Sequence, residues 1–400
     1  MQPGRPRHGG VRFRRAHRGE FSIVSLLSIL LLAQADGVAG STQSVFNLAQ
    51  ALRAAGHAVT VGRSAGGRLD ALAAADGFVR PPLTFAGARP LARDLRAWLA
   101  RHPVDVVSSQ STMDRRACAW LRWQGALTPA LVVTRRTMPL TWFPELQFVG
   151  QVADRTIAVS STVARALARR GHPAGRVVVV PNGVRLERLD AEPPPSAVAA
   201  AAEVRERAAG RPVVLMVARR KDQEVLLRAA HFVSTPLALV FAGVTPDRPL
   251  RALAAGLPQR HGVQWLGVVE HPLPLYGVAT LGVLPSRIEG LSQALLEAMA
   301  LGVPVLASRA GGNVDLIQDG VTGRLLPPLD HQAWGRALEE ALGAPDTAQR
   351  WAAAARARVL NEFTVAHTAA RTEAVCREAM ARRTAATPVV GREAGHDDIR

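Results

Sequence analysis

From residue 29 to residue 307 the chain repeats one pattern: a short apolar, β-branched run, a stretch of helical spacing, then another apolar run. A strand buried on both faces of a parallel sheet reads as such a run, and parallel neighbours need a crossover, usually a helix. The first half offers strands at 29–33, 58–61, 104–108, 130–134, 156–159 and 177–180. The clearest helix is expected at 41–55, with Val45, Leu48, Ala49 and Leu52 on one face, Ser41 or Thr42 as N-cap and Gly56 as its stop. After Leu189 a proline cluster, Ala191-Glu-Pro-Pro-Pro-Ser196, and an alanine-rich stretch interrupt the pattern, which restarts with strands at 213–217, 238–241, 263–266, 281–284 and 303–307.

Two such halves predict an α/β protein of two Rossmann-like domains facing each other across a cleft. The expected boundaries are a basic N-terminal extension at 1–27, a first domain at 28–190, a linker at 191–210, a second domain at 211–365, and a C-terminal helix and loose tail at 366–400. Length agrees, since 400 residues at 48% hydrophobic exceed what one core usually fills. Ligands of open α/β sheets bind at the carboxyl ends of the strands, so the cleft is where chemistry is expected.

The start of the chain carries an ambiguity. Residues 1–20 hold six arginines and no apolar period, and the run 21–35 that follows has the outline of a secretory signal. The strand reading fits better, because cleavage after Ala35 would remove the strand that feeds the glycine turn Gly37 to Gly40. Cys118 and Cys376 lie far apart with no Cys-x-x-Cys, which suggests neither a disulfide framework nor a zinc cluster and fits a cytoplasmic protein.

The formal charge is +17, from 49 basic and 32 acidic residues, which attracts phosphate or anionic lipid. The excess is spread along the chain, and an arginine-rich composition accounts for it equally well. Nucleic acid is not expected as a partner: no reader module is visible, and aromatics make up only 4%.

Two features carry chemistry. Arg219 and the only lysine, Lys221, follow the strand at 213–217, where two fixed cations suit a diphosphate. The second is Leu284-Pro-Ser-Arg-Ile-Glu-Gly-Leu-Ser-Gln-Ala-Leu-Leu-Glu-Ala-Met299, in which a strand runs into a loop with Glu289 and then a helix containing Glu297. Backbone amides at Gly290, Leu291 and Ser292 are expected at the helix start, open to a ligand. Helical spacing would put the two carboxylates roughly 12 Å apart, too far for a glycosidase pair but suited to two stations along an extended ligand. On spacing alone, a capping and a surface glutamate explain them as well.

The segment resembles the Glu-x7-Glu motif of family-4 retaining glycosyltransferases of the GT-B type, written Glu-Gly-Leu-(Pro/Ser)-x-Ala-Leu-Leu-Glu-Ala-Met. Agreement extends to the glycine turn with Gly56-His57, to Val180-Pro-Asn-Gly-Val184, to Arg219 with Lys221, and to Gly267. It continues through Gly302-Val-Pro-Val305, Gly311-Gly312 and Asp319-Gly-Val-Thr-Gly323. The resemblance implies a GT-B fold and a retaining transferase; metal independence is expected because no Asp-x-Asp motif stands at a strand end, and no cofactor is expected. A nucleotide sugar is the implied donor. The acceptor is expected to be a glycan or lipid-linked sugar of cell-envelope or lipopolysaccharide type, reached from the cytoplasmic face with peripheral contact to anionic membrane, because a charge of +17 is combined with the absence of a spanning apolar run.

By the same resemblance Glu289 contacts the donor sugar, Glu297 the ribose hydroxyls, and Arg219 with Lys221 the diphosphate. Gly40, with Ala39 in place of a usual glycine, stands near the phosphates or acceptor, and Gly267 beside the base. The family often carries histidines where this chain has Gln110 and Arg136, which become acceptor-side candidates. Its usual Gly-Gly-x-x-Glu ends here in Asp315, and Arg185 stands where Asp is common. Two other readings are a nucleotide-sugar epimerase of the same architecture and a donor-binding protein without turnover.

Overall fold

The computed structural model describes residues 25–34, 40–139 and 143–386. The basic extension through residue 24, the turn residues Gly37 and Ala39, and the tail from residue 387 lie outside the described residues.

Two parallel six-stranded sheets form the core of the fold. The first contains β1 (Ser28–Ala33), β2 (Ala58–Arg63), β3 (Val106–Ser109), β4 (Ala130–Arg135), β5 (Arg155–Ala158) and β6 (Val177–Val179), in the order β2-β1-β3-β4-β5-β6. The second contains β7 (Val213–Val217), β8 (Ala238–Ala242), β9 (Gly262–Trp265), β10 (Leu281–Leu284), β11 (Val305–Ser308) and β12 (Arg324–Leu326), in the order β12-β11-β10-β7-β8-β9. Leu30, Leu31 and Leu32 of β1 are each 0% exposed, and burying a leucine side chain contributes roughly 1.5–3 kcal/mol. Strand order reverses between β1 and β3 in one sheet and between β7 and β10 in the other. These are the switch points where the loops diverge and leave a crevice.

Several expectations change. The helix expected at 41–55 spans Gly40–Ala54, so Ser41 and Thr42 lie inside it and neither is an N-cap. The stretch 191–210 is not a plain linker: Pro195–Ala208 is a helix that buries Ala201, Val204 and Ala208 in the second core. β12 was not expected at all; it is a three-residue edge strand beginning with an arginine.

The chain crosses between domains twice, and the crossings pair with each other. The Val184 amide donates to Phe363 O at 2.8 Å and the Val365 amide to Val184 O at 2.9 Å. A Cβ on Gly183 would lie 2.2 Å from Thr364 backbone, so only glycine fits there. Beyond the crossing, the helix Val365–Ala386 returns to the first domain and buries Ala369, Val375, Cys376 and Ala379 in its core. His57 is part of that seam: buried, it accepts from the Leu27 amide and lies 3.2 Å from Glu373.

His172 is expected to make the first domain acid-sensitive. It is buried, with Nδ1 3.3 Å from Leu146 O and Nε2 2.8 Å from Thr156 Oγ1. Since the carbonyl can only accept, the neutral ring carries its proton on Nδ1. Burial first, and the nearby Arg135, Arg176 and Arg115 after it, lower its pKa from 6.5 to about 4. The unfolded chain takes up this proton below pH 6.5 and the folded chain only near 4, so stability falls as pH drops through that window, by on the order of 3 kcal/mol. Urea midpoints should fall between pH 7 and pH 4.5, and His172→Gln should flatten the dependence. An equal pH slope in the variant would remove His172 as the cause.

Candidate functional site

The second switch point brings Lys221 to Glu289, with Arg219 two residues before Lys221 on the same loop, because the loops after β7 and β10 emerge side by side there. Lys221 Nζ donates to Glu289 Oε1. Glu289 is 8% exposed, whereas Lys221 is half-buried. An ammonium has three N–H groups and a carboxylate two oxygens, so after this contact both retain capacity for a ligand. Arg219 is exposed, and its guanidinium has no hydrogen-bond or ion-pair partner among the described residues. The neighbouring arginines are neutralised internally: Arg220 by Glu224 and Asp247, and Arg287 by Asp222 at 2.9 Å.

The loop that carries these cations is held by glycine contacts. A Cβ on Gly243, after β8, would lie 2.9 Å from Ala218 O. The Gly243 amide in turn donates to Gly267 O at 2.6 Å, and Gly267 adopts the left-handed φ of +63°. Gly267 therefore sits beside the loop after β8.

Glu289 is positioned by close backbone packing across the cleft. A Cβ on Gly311 would lie 2.2 Å from Glu289 O, and one on Gly312 1.9 Å from Gly290 O. On the other side, a Cβ on Gly290 would lie 2.0 Å from Arg136 O in the first domain. Three backbone segments thus touch where only glycine permits it. Adjacent contacts lock the arrangement: Asp315 accepts from the Ser161 amide at 2.5 Å and from its hydroxyl, and Thr162 Oγ1 donates to Gly311 O at 2.8 Å.

The helix after this loop begins later than expected. Ser292 is its N-cap, accepting from the Leu295 amide at 3.2 Å, and the helix runs Gln293–Ala300. Its first-turn amides belong to Gln293, Ala294 and Leu295. Gly290 and Leu291 precede it in the loop, and the helical rise behind the 12 Å spacing does not apply between Glu289 and Ser292. Gly40 faces this helix across the cleft; a Cβ there would lie 3.3 Å from Gln293 Cβ.

Glu297 is 5% exposed, and Arg188 Nη1 donates to its Oε1 at 2.8 Å. Burial pushes its carboxyl above the usual range, against the pull of Arg188. Arg188 comes from the short helix Leu186–Asp190, just past the first domain crossing. Among so many arginines nothing in the sequence singled it out.

On the facing domain, Arg136 follows β4. Its Nη2 donates to Gln110 Oε1 at 2.8 Å, its Nε to the same oxygen at 3.2 Å, and its Nη1 to Asn182 Oδ1 at 2.5 Å. Burial lowers its pKa from 12.5 to about 10, which leaves it charged at neutral pH. Gln110 is held in turn by its amide nitrogen on Ser108 Oγ and by its backbone N–H on buried Asp114, both at 2.8 Å. Sequence reasoning gave no role to Asn182 or Asp114, although Asn182 lies in the Val-Pro-Asn-Gly-Val motif.

The fold is that of a two-domain α/β protein, with cations and a buried carboxylate at the second switch point, the place where ligands of such sheets bind. Residues 211–344 match the family described as Glycosyl transferases group 1, and residues 38–188 match Glycosyltransferase Family 4. The chain belongs to this group of GT-B glycosyltransferases. It is 35% identical over 257 residues to an alpha-maltose-1-phosphate synthase of Mycolicibacterium smegmatis, covering 58% of this chain and 65% of that one. It is also 33% identical over 250 residues to a D-inositol 3-phosphate glycosyltransferase of Nocardia farcinica, covering 56% and 52%. The chain thus spans between about half and two thirds of these relatives. Among solved structures, Anabaena Alr3699/HepE in complex with UDP has a TM-score of 0.75 at 20% identity, over 88% of this chain and 100% of that one. The lipopolysaccharide outer core galactosyltransferase WaaB has 0.66 at 18%, over 88% and 100%. Both share the fold.

Proposed function

We propose that the protein transfers a sugar from a nucleotide-sugar donor, bound mainly by the second domain, to a glycan or lipid-linked acceptor on the first. Transfer retains the anomeric configuration and needs no metal ion. The observation that carries this reading is the exposed, unpartnered Arg219 beside Lys221 and Glu289 at the switch point. There the two cations meet the charge that develops on the leaving diphosphate, and Glu289 Oε2 accepts from a sugar hydroxyl. The acceptor oxygen bonds to the anomeric carbon as its bond to the diphosphate breaks, and the proton passes to a phosphate oxygen on the same face. The protein's share is charge stabilisation and alignment. By family resemblance Glu297 takes the ribose hydroxyls.

Relatives are named for acceptors or products that carry phosphate, one mannosyltransferase is named as GDP-mannose-dependent, and the Anabaena protein was solved with UDP. UDP-, GDP- and ADP-sugars are therefore the panel to test. One of them should raise the melting temperature in excess EDTA, because a ligand that binds only the folded state stabilises it. Absence of any shift would overturn the donor reading. A shift and turnover lost on chelation and restored by Mg²⁺ or Mn²⁺ would overturn metal independence.

The acceptor is proposed to lie at an anionic membrane surface on the cytoplasmic side. Exposed Arg89, Arg93 and Arg96 line an open groove of about 530 Å³ with Trp120, and Trp123 at the end of the same helix as Trp120 is 71% exposed. Each basic residue near such a surface contributes about 1 kcal/mol, and tryptophan suits the interface. Among the described residues no helix is long and apolar enough to cross a membrane. Co-sedimentation with anionic vesicles is expected at low salt, weakening at high salt. Equal recovery with neutral vesicles would favour a soluble acceptor.

A further inference from the structure

Arg136 is clamped but not neutralised. Loops after three strands of one sheet converge on its guanidinium: Gln110 follows β3, Arg136 itself follows β4, and Asn182 follows β6. Both partners offer neutral amide oxygens, and no carboxylate pairs with it among the described residues. The clamp is itself braced, since Ser108 and Asp114 fix Gln110.

A half-buried cation without a counter-charge is costly. Here three of its five N–H groups are used to set its orientation, and two remain, the number that a carboxylate or phosphate accepts. The backbone of Arg136 touches Gly290, so the residue lies where the first domain meets the loop that carries Glu289.

We propose that Gln110, Arg136 and Asn182 form an anion site on the acceptor side of the cleft, which takes a phosphate ester or carboxylate carried by the acceptor. It is separate from the donor diphosphate site at Arg219 and Lys221. This rests on reading the first domain as the acceptor domain. A neutral acceptor would leave the Arg136 charge unmatched, whereas an anionic one is oriented by it.

The test uses inorganic phosphate as the probe, measured by calorimetry on the full chain carrying Arg219→Ala and Lys221→Ala, so that the proposed donor cations are absent. Phosphate should still bind, and adding Arg136→Gln should weaken it by at least ~10-fold, the scale of one charged hydrogen-bonded contact. Gln110→Glu guards against a misfolded variant: it places a carboxylate on Arg136, and is expected to abolish phosphate binding while holding or raising the melting temperature. Phosphate binding absent from the Arg219→Ala/Lys221→Ala protein, or unchanged by Arg136→Gln and Gln110→Glu, overturns the proposal.

A parallel titration of UDP, GDP and ADP into wild type and Arg136→Gln separates the sources. Unchanged nucleotide binding assigns the site to the acceptor. Nucleotide binding weakened as much as phosphate binding assigns Arg136 to the donor and overturns the proposal. If no nucleotide binds either protein while phosphate still depends on Arg136, the donor reading fails and the anion site stands.

Discussion

Replacing Lys221 by alanine is expected to lower sugar transfer at saturating donor by at least ~10²-fold, and replacing Arg219 by a similar factor, as for removal of one preorganised charge-stabilising group. Lys221 has a second effect that Arg219 lacks. Its ammonium pairs with Glu289, which is only 8% exposed, so its loss also leaves a mostly buried carboxylate without its cation. Lys221→Ala should therefore cost thermal stability as well as rate, while Arg219→Ala, at an exposed and unpartnered side chain, should cost rate alone. Near-wild-type turnover in both variants would remove the diphosphate assignment.

Gly290→Ala is expected to lower kcat by about 10²-fold, the loss that a misplacement of roughly 1 Å can cause. The added methyl would meet Arg136 O at 2.0 Å and Val159 Cγ2 at 3.3 Å, both across the cleft, so the domains must part or the loop carrying Glu289 must shift. Nucleoside diphosphate binding should change far less, because its proposed cations follow β7 within the second domain. Gly175→Ala, where a Cβ meets nothing within 4 Å, is the neutral control. Wild-type kcat in Gly290→Ala would show that the close approach is unimportant to the reaction.

The fold was legible where burial on both faces writes itself into the sequence. Leu30 to Leu32 and Val213 to Met216 are fully or almost fully buried, and both appear as uninterrupted apolar runs. β12 was not legible, because three residues led by Arg324 at a sheet edge have no period to detect. The helix Pro195–Ala208 was hidden for another reason: its buried face is made largely of alanine, which in a chain this rich in alanine looks like filler.

At the site, residue types that carry charge stood out and geometry did not. Arg219, Lys221 and Glu289 were visible as charges at strand ends, and the topology brings their loops together. Gly290 invited a reading as an amide donor, whereas its surroundings show a glycine needed for backbone contact with another domain. That requirement depends on a carbonyl 154 residues earlier, Arg136 O, which no local pattern reveals. Arg188 on Glu297 and Asn182 on Arg136 are likewise long-range pairings: nothing local marks Arg188, and the motif that contains Asn182 does not reveal its partner.

The most direct test follows an α-linked nucleotide-sugar panel by proton NMR with the wild-type protein in excess EDTA. The expected result is release of nucleoside diphosphate from one donor, with the sugar appearing as an α-configured transfer or hydrolysis product. A donor recovered with an inverted ring carbon and its diphosphate bond intact would point to an epimerase. A donor that binds and remains unchanged would point to a binding protein, and either result would contradict glycosyl transfer.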